Sequence, residues 1–107
     1  MAGTLLASAV ISTAAALSIG LAAVGGAATV SQRTTAAADA AALAASDIAS
    51  GAVQADSAAC TVAARVAEAS GARLVACDLI GPMATVQVGS SYAGLAVVAR
   101  ARAGPPE

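Results

Sequence analysis

The sequence predicts an α+β chain in which one long helix leads, a second short helix follows, and a small antiparallel sheet of about three strands closes the fold. Three observations predict it. Residues 1–32 carry no ionisable side chain, the first being Arg33. An Ala-rich stretch without proline then runs to Gly51, and a second helical segment stops before Gly71. Beyond Gly71 the apolar residues fall in short runs separated by Gly, Pro and Ser, the punctuation of strands. With 107 residues there is room for one small domain, or for a smaller one plus an anchor. Hydrophobic residues make up 59% of the chain, yet Phe and Trp are absent and Tyr92 is the only aromatic. The apolar content is therefore mostly Ala with some Val and Leu, too little bulk for a large soluble core. Charged residues amount to 10%, against about 25% in soluble domains, and the mean hydropathy of +0.84 points toward lipid.

The first element is the run from Thr4 to Val30, which contains only Ala, Leu, Val, Ile, Gly, Ser and Thr. As a helix it would extend about 40 Å, enough to cross a hydrocarbon core of about 30 Å with some tilt. Residues 1–30 are accordingly read as a transmembrane anchor helix. A cleaved signal peptide is the competing reading, but its apolar region is usually about 7 to 15 residues long and follows a basic start. Small residues four apart, Ala16 with Gly20 and Ala22 with Gly26, are candidate sites of close helix packing in a bilayer. Gly25-Gly26 is a candidate hinge or frayed stretch.

Residues 31–56 read as an Ala-rich helical extension and linker, because Ala has the best helix propensity; the rod is expected to reach about Ser50, with Gly51 as its stop. A second crossing of the membrane, with Asp39 and Asp47 as ion-binding carboxylates, would have to pay for acids at 39, 47 and 56 without enough Leu, Ile or Val. Both acids are read as solvated. Residues 57–103 are expected to form a small extracytoplasmic α+β head. Asp56 and Ser57 are N-cap candidates for a helix over AACTVAARVAEAS, with Val62, Val66 and Ala69 on its apolar face and Gly71 as its left-handed cap. Three strands follow, ARLVACDLI, MATVQV and LAVVARARA, separated by Gly81-Pro82 and by the segment Gly89 to Gly94. In the second strand Val86 and Val88 alternate with Thr85 and Gln87; in the third, Arg100 and Arg102 share the parity that meets water. Residues 104–107 are read as a disordered tail.

Several function classes lose their chemistry. The five basic residues are all Arg, scattered at 33, 65, 73, 100 and 102, so no stripe exists to neutralise a run of phosphates and no nucleic-acid partner is expected. His is absent, which removes the commonest general base, and two Cys cannot complete a four-ligand zinc site. No catalytic, cofactor-binding or metal-ligating residue, no cofactor and no small-molecule substrate is assigned. Ser90 and Ser91 lack a base nearby in sequence and are read as turn residues. Tyr92 is read as capping the small core, with an interface anchor as the alternative.

Cys60 and Cys77 are the one reactive pair. A helix from Cys60 to Ser70 climbs about 15 Å and a strand from Ala72 to Cys77 returns about 17 Å, so the two thiols come out level. A disulfide between them would contribute about 3 kcal/mol in the chain-entropy description. The alternatives are two buried thiols packing as small apolar residues and an extracytoplasmic thiol enzyme, although catalytic dithiols usually adopt C-x-x-C spacing.

This order of features resembles the TadE-like proteins of tight-adherence (Flp-type) pilus systems, in particular the short actinobacterial subgroup encoded beside helicase and secretion genes. The resemblance covers most of the chain. It is carried by Ala2-Gly3-Thr4-Leu5-Leu6 opening the apolar helix, TTAAADAAALAAS from Thr34 to Ser46, AACTVAARVAEASGARLVACDL from Ala58 to Leu79, and ARARAGP from Ala99 to Pro105. It implies a pilin-like minor component whose anchor lies in the cytoplasmic membrane as a single pass, whose head is outside the cell, and which enters a surface filament without catalysing a reaction. The implied partners are membrane lipid and other pilin-like or secretion-platform subunits. Pilins of this broad class are processed after a Gly and carry Glu five residues into the mature helix; counted from Gly3, that position is Ser8. A start codon placed too far downstream would account for this and for the missing basic residues ahead of the anchor. The alternative function is a secreted small binding module with a cleaved N-terminal signal segment.

Overall fold

The computed structural model describes residues 1–106. Helix α1 spans Ala2–Ala49 without interruption, helix α2 spans Ala59–Ala69, and strands β1 (Arg73–Ile80), β2 (Met83–Tyr92) and β3 (Leu95–Ala103) follow. The strands form one antiparallel sheet in the order β1-β2-β3, so the α+β layout expected from the sequence is present. At about 1.5 Å per residue, the 48 residues of α1 account for the long axis of a molecule measuring 75 × 27 × 17 Å.

The two halves of α1 differ in what they meet. In the first, large apolar side chains stand exposed all round the helix, among them Leu5, Val10, Ile11, Leu17, Ile19 and Leu21. The second half buries Thr34, Ala37, Ala38, Ala41, Ala42, Ala45 and Ser46, a stripe at spacings of three and four that turns one helix face toward the rest of the head. The sheet packs against it through Ala84, Val86, Val88 and Ala101, and α2 lies alongside through Ala59, Ala63 and Ala67. The expected division therefore shifts. Much of the segment 31–56, read as extension and linker, is the spine of the head, because the small side chains on one of its faces let neighbouring backbones approach.

Further local expectations are corrected. Gly25-Gly26 is neither hinge nor frayed end: α1 runs straight through it. The N-cap of α2 is Ala58, with no side-chain cap, rather than Asp56 or Ser57, and Ser57 instead accepts a hydrogen bond from Arg65 Nη2 at 3.4 Å. The buried face of α2 is Ala59/Ala63/Ala67 with Val66 half-buried, and Ala69 is exposed. Only the smallest side chains fit where α2 meets α1, so alanines take the seam that the bulkier valines were expected to fill. Gly71, at φ +80, ends α2 as expected. The segment 89–94, expected as a connection, is mostly strand: β2 continues through Tyr92, and the turn is Ala93-Gly94 alone. Both turn residues have positive φ, +51 and +79, the signs of a type I′ turn whose twist matches paired strands. Residues 104–106 carry no regular structure; Glu107, the last of the expected tail, lies outside the described residues.

The alternation in β2 and β3 follows the expected parity. Ala84, Val86 and Val88 are buried while Thr85 and Gln87 face outward, and Arg100 and Arg102 are exposed, Arg100 Nη2 donating to Gln87 Oε1 at 3.1 Å. Asp39 and Asp47 are exposed, as solvated acids should be.

Because the seam is made of alanines that are fully covered, added volume has nowhere to go. Ala42→Leu is expected to lower the stability of the head by about 1–3 kcal/mol, read from the thermal unfolding of the full chain; Leu43→Ala, at an exposed position one residue on, serves as the comparison and should leave it nearly unchanged.

Candidate functional site at the junction of anchor and head

Two hydroxyl contacts fix α1 against the sheet at either end of the alanine seam. Thr34 Oγ1 donates to the carbonyl of Val30 at 2.7 Å and forms a short hydrogen bond with Ser90 Oγ on β2. At the other end, Ser46 Oγ donates to the carbonyl of Pro82 in the β1–β2 turn at 2.9 Å. Thr34 and Ser46 are both buried, and no buried side-chain polar atom among the described residues lacks a partner. A slide of the helix along the sheet would break both contacts; Thr34 would keep its bond to Val30, but the buried Ser46 hydroxyl would be left unpaired, at a cost of about 1–3 kcal/mol. Ser90, expected in a turn with Ser91, is thus a strand residue facing α1, and both sit beside a cleft of about 170 Å³ with Arg33 and Thr34 across it.

Tyr92 reaches further toward the N-terminus than the rest of the head. Its hydroxyl donates to the carbonyl of Ala23 at 2.9 Å, and its ring lies over Gly26, where a Cβ would collide with it. Of the four small residues singled out for helix packing, Gly26 is therefore covered by a side chain of its own chain. Ala16, Gly20 and Ala22 are exposed, with open space beside Gly20. Hydroxyls within the apolar run are satisfied locally: Thr13 donates to the Ala9 carbonyl, Ser18 to that of Ala14 and Thr29 to that of Gly25, each at 2.9 Å. Such back-bonding keeps a polar group paired where no water is available.

Cys60 and Cys77 form a disulfide with Cα atoms 5.9 Å apart, joining the first turn of α2 to β1. A bulge precedes Cys77 on β1. Leu74 pairs with Val88 and Ala76 with Gln87, so Val75 is an extra residue on β1. In a regular strand Leu74 and Cys77, three apart, would point to opposite faces. The extra residue brings Leu74 onto the same inner face as Cys77, which lies opposite Val86. The alternative of two free thiols is set aside, since both cysteines are bonded.

Among the described residues no group of three or more His, Cys, Asp or Glu side chains converges on a point. α1 is long and apolar enough to cross a membrane, and its most apolar window is wholly exposed. The fold and the junction together define a class: an α+β head, stapled by one disulfide and built directly on the second half of a helix whose first half is suited to lipid. Comparison of the chain with known protein families, with curated proteins and with solved structures finds no match.

The disulfide ties α2 to an edge strand across a small core. Cys60→Ser, Cys77→Ser and the double variant are each expected to lose about 3 kcal/mol, the three being alike because the same bond is missing in all. Thermal unfolding of oxidised wild type beside the variants provides the measurement.

Proposed function

We propose that the chain is a non-enzymatic, pilin-like subunit of a TadE-type pilus or secretion apparatus, held in the cytoplasmic membrane by the first half of α1 with its head outside the cell. The observation that carries the reading is the division of α1: bare and apolar through its first half, spine of the head through its second, with no break between. A subunit of this build leaves lipid only by exchanging lipid contacts for neighbouring helices. Ala16 and Gly20 are small enough to admit such a neighbour, and the disulfide suits an oxidising compartment. The sequence resemblance to TadE-like proteins supports the same assignment. A secreted module freed by cleavage near residue 30 would lose the Ala23 carbonyl and the Gly26 surface against which Tyr92 rests, so the uncleaved form is preferred.

The test is made in the native cell. Alkaline carbonate should leave the full-length chain with the membranes, sheared surface material should contain that chain with its apolar helix, and deletion of the gene should reduce surface filaments. Extraction of the intact chain by carbonate, or export of a form lacking roughly the first 30 residues, would overturn the reading. Gly20→Leu should exclude the subunit from sheared filaments while leaving the thermal unfolding of the head unchanged, because Gly20 touches nothing in the head.

A further inference from the structure

The β2–β3 hairpin ends level with the apolar half of α1. Tyr92 bonds the Ala23 carbonyl, and from Thr4 to Ala23 the helix rises about 30 Å, the thickness of a hydrocarbon core. The tip of the hairpin therefore lies where the acyl chains would give way to headgroups. Its composition fits that place. No charged residue occurs between Asp78 and Arg100, and Leu95 at the tip is 70% exposed. A little further up, on the outer face of the sheet, Val98 and Val75 lie at Gly89 with 54% and 52% exposure. Charge begins above the tip. Arg33 lies ten residues up α1 from Ala23, about 15 Å, and Arg73 sits opposite Gly89. Both are exposed, and side chains of this length lay their stems along apolar surface and carry the charge to polar headgroups.

We propose that the β2–β3 hairpin tip, Tyr92 to Leu95, is a second membrane-contacting element that seats the head in the interfacial layer of the bilayer, with Arg33 and Arg73 facing the lipid phosphates. The occupant of this apolar surface is lipid, since the tip is continuous with the anchor surface and lies at the depth that helix defines. Tyr suits the position: its ring is apolar and its hydroxyl polar, which places such residues at membrane–water boundaries. The inference rests on the proposed anchoring and adds that the head lies against the membrane instead of standing clear of it.

Tyr92 is the only aromatic residue, so tyrosine emission of the unmodified full chain reports on this position alone. The chain is reconstituted into phosphatidylcholine vesicles and floated on a density gradient. The expected result is that it floats with the lipid, that nitroxides at the top of the acyl chain reduce Tyr92 emission more than nitroxides at the chain end, and that aqueous iodide leaves it unchanged. Leu95→Asp should lose much of the lipid quenching while still floating; full quenching retained in this variant overturns the proposal. A chain that floats but whose emission falls with iodide and not with lipid nitroxides overturns it too and leaves the anchor standing. Failure to float removes the anchor and the proposal together. Protection from both quenchers, as a second copy covering the tip would produce, also overturns it.

Discussion

The close approach permitted by alanine is the constraint on which the rest of this structure depends. Ala37, Ala38, Ala41, Ala42 and Ala45 present almost no side-chain relief, so the sheet and α2 can both settle near the backbone of α1. The resulting core is thin, its largest fully buried side chains being Val86, Val88 and Thr34. A smooth seam offers little resistance to sliding, because ridges and grooves are what ordinarily set the register of packed elements. Thr34–Ser90 and Ser46–Pro82 supply the register instead, as directional contacts at the two ends of an otherwise featureless surface.

A core of that size buries little apolar area, and burial is the main term opposing chain entropy. The disulfide offsets part of the shortfall. Cys77 faces inward through the regular pairing of Ile80–Cys77 with Met83–Val86, and the extra residue at Val75 brings Leu74 onto the same inner face. Bulge and bond are neighbours on β1: the first spoils the ladder locally, and the second ties that edge of the sheet to α2.

Much of this was legible in the chain, and the parts that were not share a physical cause. The uncharged opening, the stops at Gly51 and Gly71 and the Val/Arg alternation of β3 are contrasts between residue types, and each led to the right element. The spine of the head was hidden because contrast is missing there: with Ala on nearly every face between Thr34 and Ser46, no periodicity separates the buried stripe from the exposed one. Thr34 and Ser46 were the available signal, hydroxyls that bracket the buried alanines of α1. The end of β2 was misplaced for a different reason. Gly89, Ser90 and Ser91 have turn chemistry, but cross-strand pairing with Val98, Val97 and Ala96 overrides local preference. The bulge left no mark, since Val75 is as good a strand residue as its neighbours. At the junction, neither the contact of Tyr92 with Gly26 nor the pairing of Thr34 with Ser90 could be read, because each joins residues far apart in sequence.

The unbroken course of α1 also has a rotational meaning. A helix without a joint carries angular phase as faithfully as length, so the azimuth of the sheet about the axis is tied to the azimuth of Ala16 and Gly20 by the count of residues between them. One residue more or less in that interval would swing the head by about 100° relative to any neighbour gripping the lower helix. In an array built by stacking such helices, the direction each head faces is thus set by arithmetic along a single backbone.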